Sequence, residues 1–203
     1  GRQLAYEVPS TTTSVSIHEY SSEDSGFADC SNTPLLADAP VTLATGMHAD
    51  RTHFERLLVL LGKAAGEEER WTLASALAAG RDAQRAQEFL AASLKGLAPS
   101  NVSSAIPEMV ARRSPFGDLA YRYALDNWTA LAELAGNRDR VFLLPGAARG
   151  FTTPEQADRL VEDHRRKAGV DGDVLAAREA ENIRLRAAVK AREAPGLERA
   201  LVD

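Results

Sequence analysis

From Leu35 to the end of the chain, apolar residues recur every three or four positions in segments of one to two dozen residues, and the breaks between segments are only a few residues long. That period belongs to α-helices with one buried face, and connections this short force neighbouring helices to run back alongside one another. Phe54, Leu57, Leu58 and Leu61 form the first stripe, opened by a cap at Asp50 or by Thr52 with Glu55 at its capping-box position, and closed near Gly62 and Gly66. Helices then follow from Glu67 with Trp71, Ala74, Leu77 and Ala78, from Asp82 with Ala86, Leu90 and Leu94, and from Ser100 with Val102, Ile106, Met109 and Val110. Pro107 predicts a bend or interruption in the last of these. Ser114-Pro115 opens a long stripe that ends at Gly136 and carries Trp128 as a core anchor beside Ala124 and Leu131. A shorter stretch with Val141, Leu144 and Ala148 is interrupted by Pro145-Gly146. Thr153-Pro154 starts a helix with Leu160, Val161 and His164 inside, and Asp173 opens the last long helix, which Pro195 divides from a terminal turn. The expected fold is all-α: a short α-solenoid of about eight antiparallel helices built as HEAT-like hairpins.

Composition agrees with close helix packing, because Phe, Trp and Tyr make up 6% of the 203 residues while Ala and Leu dominate a 44% hydrophobic total. Residues 1–34 read differently. Three consecutive threonines from Thr11 and the polar stretch from Ser21 to Ser25 break any helical period, so this part is expected to be an irregular arm or linker, with Val15, Ile17 and Tyr20 hinting at a short strand. Residues 35–203 form the helical domain.

A formal charge of −5, from 24 basic and 29 acidic residues, leaves no broad basic field, so nucleic acid is not an expected partner. No apolar run approaches the roughly 20 residues that cross a bilayer, and a membrane is not expected either. The single Cys30 has no second cysteine with which to pair, and the expected setting is the cytoplasm.

Little here carries chemistry. His48 and His53 are five apart at a helix start, on different faces and without a third ligand, and no H-E-x-x-H occurs, so no metal site is expected. His164 lies on an apolar stripe and reads as a packed structural histidine; Cys30 reads as an incidental thiol. Gly146 and Gly150 lack the lysine and the preceding strand of a phosphate loop. Arg165, Arg166 and Lys167 complement a helix C-terminus. Arg112, Arg113, Arg149, Arg184 and Arg186 lie at or near helix ends, where guanidinium groups on a concave face hold carboxylates, and Arg149 and Arg184 are the candidate peptide-binding pair.

The order of several short segments carries a resemblance. Gly46-Met47-His48-Ala49-Asp50 runs into the Leu57-Leu58 helix, followed by Glu68-Glu69-Arg70-Trp71 and Leu77-Ala78-Ala79-Gly80-Arg81-Asp82; Leu119-Ala120, Asn127-Trp128, Gly150-Phe151-Thr152-Thr153, Glu155-Gln156 and Glu181-Asn182-Ile183-Arg184 come after. Over residues 35–203 this order resembles the C-terminal helical domain of M1-family zinc aminopeptidases. The resemblance implies a helical bowl that caps the peptide chamber of a separate catalytic domain and modulates substrate access. It implies no catalytic residue here, since neither the zinc helix nor the G-A-M-E-N segment occurs, and zinc only in that catalytic domain. Peptide substrate or the catalytic domain would be the partner. The alternative expectation is a stand-alone α-solenoid scaffold that binds a protein or peptide.

Overall fold

A computed structural model describes the backbone of residues 39–200 and the side chains of 42–193; the expected arm, its possible strand, His18 and Cys30 lie outside the described residues. The described residues are all-helical, as the periodicity requires. The α-helices are α1 (Ala39–His48), α2 (Arg51–Lys63), α3 (Glu67–Ala78), α4 (Ala83–Ala92), α5 (Ser100–Arg113), α6 (Gly117–Asp126), α7 (Trp128–Asp139), α8 (Leu143–Ala147), α9 (Pro154–Ala168) and α10 (Asp173–Ala200), with short 3₁₀ turns on either side of α8. None of them is long and apolar enough to cross a membrane.

The bundle is organised around α5, which packs against α3, α4, α6, α7 and α8, while α10 lies mainly along α9 and α1 along α3. Two apolar clusters result. The first joins α2 to α5 through Phe54, Leu61, Leu73, Phe89, Leu90 and Ile106. The second joins α6 to α10 through Tyr121, Trp128, Leu131, Leu144, Leu160 and Ile183. Trp128 is 7% exposed beside Ala124 and Leu131, as its stripe predicts.

Several boundaries differ from expectation for identifiable reasons. Asp50, not Thr52, caps α2: its Oδ1 accepts from the His53 backbone N–H at 2.9 Å and contacts the His53 ring Nδ1 at 2.8 Å. Gly62 lies inside α2, whose last turn is held by the buried Leu61. Pro107 does not interrupt α5, where it is buried within a helix packed on several sides. The long stripe after Ser114 is split at Asn127, which caps α6 with its backbone N–H and precedes α7. Ser114 makes a turn instead of a helix cap, donating to the Val110 carbonyl at 2.8 Å and accepting from the Phe116 N–H at 3.2 Å. Pro195 does not end α10, because one lost donor is small against the ladder of a 28-residue helix.

Helix α1 has no clear stripe and was not expected as a separate helix. It forms against α3 through backbone contact: a Cβ on Gly46 would come within 2.0 Å of the Ala76 carbonyl oxygen. A second close approach joins the two halves of the bundle. A Cβ on Gly150 would lie 2.6 Å from the Ala111 carbonyl oxygen and 2.9 Å from the Gly117 Cα.

Candidate functional site

The exposed edge of α5 presents Asn101, Ser104, Ala105 and Glu108 at successive helical turns, and this edge floors an elongated cleft. At one end, in a volume of about 470 Å³, Trp71 of α3 faces Leu134 of α7 and Phe142 and Leu143 beyond it. Trp71 is fixed there because its indole N–H donates to Glu67 at 3.4 Å, and the same carboxylate oxygen accepts from Asn101 at 3.4 Å. Phe142 is 51% exposed, as are the aliphatic Val59, Val170, Val174, Leu185 and Val189 elsewhere on the described surface to similar or greater degree, and it is the one aromatic among them.

Glu108 and Phe142 also line the adjoining end, of about 350 Å³, whose other walls carry Arg149, Arg178, Glu179 and Asn182. Here the chemistry turns polar. Glu108 accepts Arg149 at 2.7 Å and lies 3.5 Å from Arg112. Gly146 makes room for this carboxylate, since a Cβ there would stand 2.8 Å from Glu108 Oε2. Glu179, 9% exposed, accepts Arg186 at 2.8 Å and Asn182 at 3.1 Å. Arg186 also donates to the Phe151 carbonyl at 3.1 Å, so it ties α10 to the turn before α9. Arg178 has no hydrogen bond or ion pair among the described residues.

The two arginines singled out from the sequence are not brought together. Arg149 lines the α5 cleft, whereas Arg184 pairs with Asp158 at 2.6 Å in a different, shallow cleft between α9 and α10 of about 520 Å³. Arg165 and Arg166, which share that second cleft, are also answered by carboxylates, Asp173 at 3.1 Å and Asp163 respectively. The pairing of these arginines depends on which helix lies opposite. Arg178 sits mid-helix, in the run of strong helix formers after Asp173, where nothing in the sequence sets it apart from its neighbours.

Around the second apolar cluster, charge is used for packing. Tyr121, 1% exposed, donates its hydroxyl to Asp163 at 3.0 Å, and burial together with that neighbouring carboxylate holds the phenol well above its ordinary range. The Arg159 guanidinium lies 5.3 Å from the Tyr121 ring centre and 4.9 Å from that of Phe151. His164 is fully buried, with Nε2 3.3 Å from the Val141 carbonyl and Nδ1 3.8 Å from Asp173, which is the packed histidine that its stripe predicts. His48 ends α1 and His53 serves the α2 cap. No group of three or more His, Cys, Asp or Glu able to hold a metal occurs among the described residues.

Apolar side chains predominate at one end of the cleft, and two arginines with two glutamates line the other. No protein-family model matches the chain, and no curated protein matches it.

Proposed function

We propose that this chain is the non-catalytic C-terminal helical domain of an M1-type zinc aminopeptidase, which caps the peptide chamber and modulates substrate access while a separate domain holds zinc and cleaves the bond. One observation supports this reading: Gly46, Gly150, Phe151 and Ile183, from the segments on which the resemblance rests, lie at close packing junctions of the bundle. Gly46 meets Ala76, and Gly80 stands over Gly46, with a Cβ on it 3.9 Å from the Gly46 carbonyl oxygen. Gly150 meets Ala111 and Gly117, and the next residue, Phe151, packs at 4.6 Å against Tyr121. Thr153 and Gln156 form a capping box, and Ile183 is fully buried. Close packing dictates small or apolar residues at such positions, so the resemblance there concerns helix arrangement. Those residues hold helices together, which is the part an accessory domain would play in this reading. A cytoplasmic setting goes with this reading, since Cys30 is the only cysteine and has no partner in the chain.

The test is to express the reading frame that contains this chain together with what lies upstream of Gly1. H-E-x-x-H upstream and zinc-dependent release of amino-terminal residues by the longer protein are expected, whereas the 203-residue chain alone is expected to hold no stoichiometric zinc and to hydrolyse no aminoacyl reporter. Tightly held zinc in the chain alone, with turnover that a chelator abolishes, would sink the reading. A second reading, a stand-alone scaffold for a peptide or protein partner, is favoured by the exposed Phe142 between the two ends of the α5 cleft. A start codon shortly before Gly1 is its distinguishing outcome.

A further inference from the structure

Helix α10 has a covered side and an open one. Ala176, Ala180 and Ile183 are buried, and Arg186 donates to the Phe151 carbonyl at 3.1 Å, so the inner side is seated on α9 and the turn before it. On the outer side Glu181, Leu185, Ala188 and Arg192 recur at spacings of four, three and four, which at 3.6 residues per turn places them within about 60° of one another around the helix. All four are exposed, Leu185 at 64%, and Val189, 43% exposed, borders them. From Ala188 to Glu193 every side chain is exposed while the helix continues to Ala200, so this length has no covering element among the described residues. A helical stretch this short is marginal in water without packing, and Leu185 and Val189 add apolar surface that a partner would remove from water.

The order of charges along the open face selects the occupant. Read in reverse, the row Glu181, Leu185, Ala188, Arg192 keeps its spacing and exchanges acid for base and large for small. We propose that this face pairs with the same face of a second copy of the chain, the two α10 helices lying antiparallel about a two-fold axis at the level of Arg186 and Ala187. Leu185 then lies opposite Ala188 of the second copy and Glu181 opposite its Arg192, and the symmetry makes each contact twice. Leucine against alanine lets the two axes approach closely. Glu181 has no hydrogen bond or ion pair among the described residues, and Arg192 has only its sequence neighbour Glu193, at 2.8 Å, so both can turn to a facing helix. Other registers oppose like charges or bury one. Sliding the helices until Leu185 meets itself sets Arg178 opposite Arg192, sliding them the other way sets Leu185 against Arg192, and a parallel pair sets each charge against its own kind. The proposal goes beyond the accessory reading, which stands or falls separately.

The test is sedimentation equilibrium of the whole 203-residue chain from about 1 μM to about 1 mM, because a contact of a few helical turns is small for a protein interface and the dimer is expected to be weak. Wild type is expected to pass from monomer to dimer over that range. Leu185→Glu should abolish the dimer. Glu181→Arg and Arg192→Glu each replace two unlike pairs by two like ones and should weaken it about tenfold, and the double variant Glu181→Arg/Arg192→Glu should return to within about threefold of wild type. Arg184→Ala, whose guanidinium pairs with Asp158 on the flank of the helix, should leave dimerisation unchanged. The substituted side chains are exposed, so urea midpoints measured at the lowest concentration are expected to stay at the wild-type value. A wild-type monomer throughout the range would overturn the proposal and leave the face to another part of a longer protein or to a different partner. A dimer that survives Leu185→Glu would place the contact elsewhere, and charge reversals that fail to rescue each other would overturn the antiparallel register.

Discussion

Tyr121 is the residue in which burial and charge are most tightly joined. Its ring is enclosed by Phe151 and Arg159, and its hydroxyl is a donor to the buried Asp163. Deleting that hydroxyl leaves the carboxylate with Arg166 alone, so Tyr121→Phe is expected to lower stability by about 1–3 kcal/mol at neutral pH. The pH dependence follows from the raised phenol. Below about pH 10 the group is protonated in both folded and unfolded chains, and its contribution is complete. Above that value the unfolded chain releases a proton that the native state retains, so stability falls as pH rises toward the folded value. Urea midpoints taken from pH 7 to pH 11 should drop at the alkaline end in wild type and drop less in Tyr121→Phe. An equal alkaline loss in both proteins would assign it to other groups. Asp163 lies 42 positions away and becomes the partner of Tyr121 only where α6 and α9 meet.

At the level of elements, α9 shows how much local sequence can settle. Thr153 accepts from the Gln156 N–H at 3.4 Å, Gln156 accepts from the Thr153 N–H at 3.1 Å, and Pro154 occupies the first helical position where its missing donor is harmless. Arg165, Arg166 and Lys167 then complement the helix end before Gly169, whose φ of +70° suits a residue without a side chain. Thr153→Ala is expected to cost about 1 kcal/mol. Amide exchange in the first turn of α9 should quicken more than exchange in α5, and an unchanged rate there would show that docking of α10 alone holds that turn. Helix α1 is the opposite case: its apolar residues form no periodic stripe, and it is formed by its fit to α3.

For the whole molecule, the decisive contact is the backbone approach of Gly150 to Ala111 and Gly117, which holds the turn before α9 on the α5–α6 corner. Gly150→Ala must push a methyl group into the Ala111 carbonyl and is expected to cost about 1–3 kcal/mol. Gly62→Ala is the contrasting substitution, because its new methyl would meet the end of the Leu97 side chain at 3.4 Å and the Leu97 carbonyl oxygen at an ordinary 3.8 Å, within α2. That variant should be neutral or gain up to about 1 kcal/mol. Comparing urea midpoints checks both, and a Gly150→Ala midpoint equal to wild type would mean that the corner opens without loss.

The sequence by itself determined that this part of the chain is helical, where most helices begin, which faces turn inward, and that Trp128 and His164 lie in the core, because period, caps and apolar stripes are local properties of the chain. Tertiary structure alone decided the formation of α1, the break at Asn127 and the separation of Arg149 from Arg184. Those features depend on which surfaces meet across long sequence distances. A guanidinium's partner, or lack of one, is set by the helix that packs opposite it.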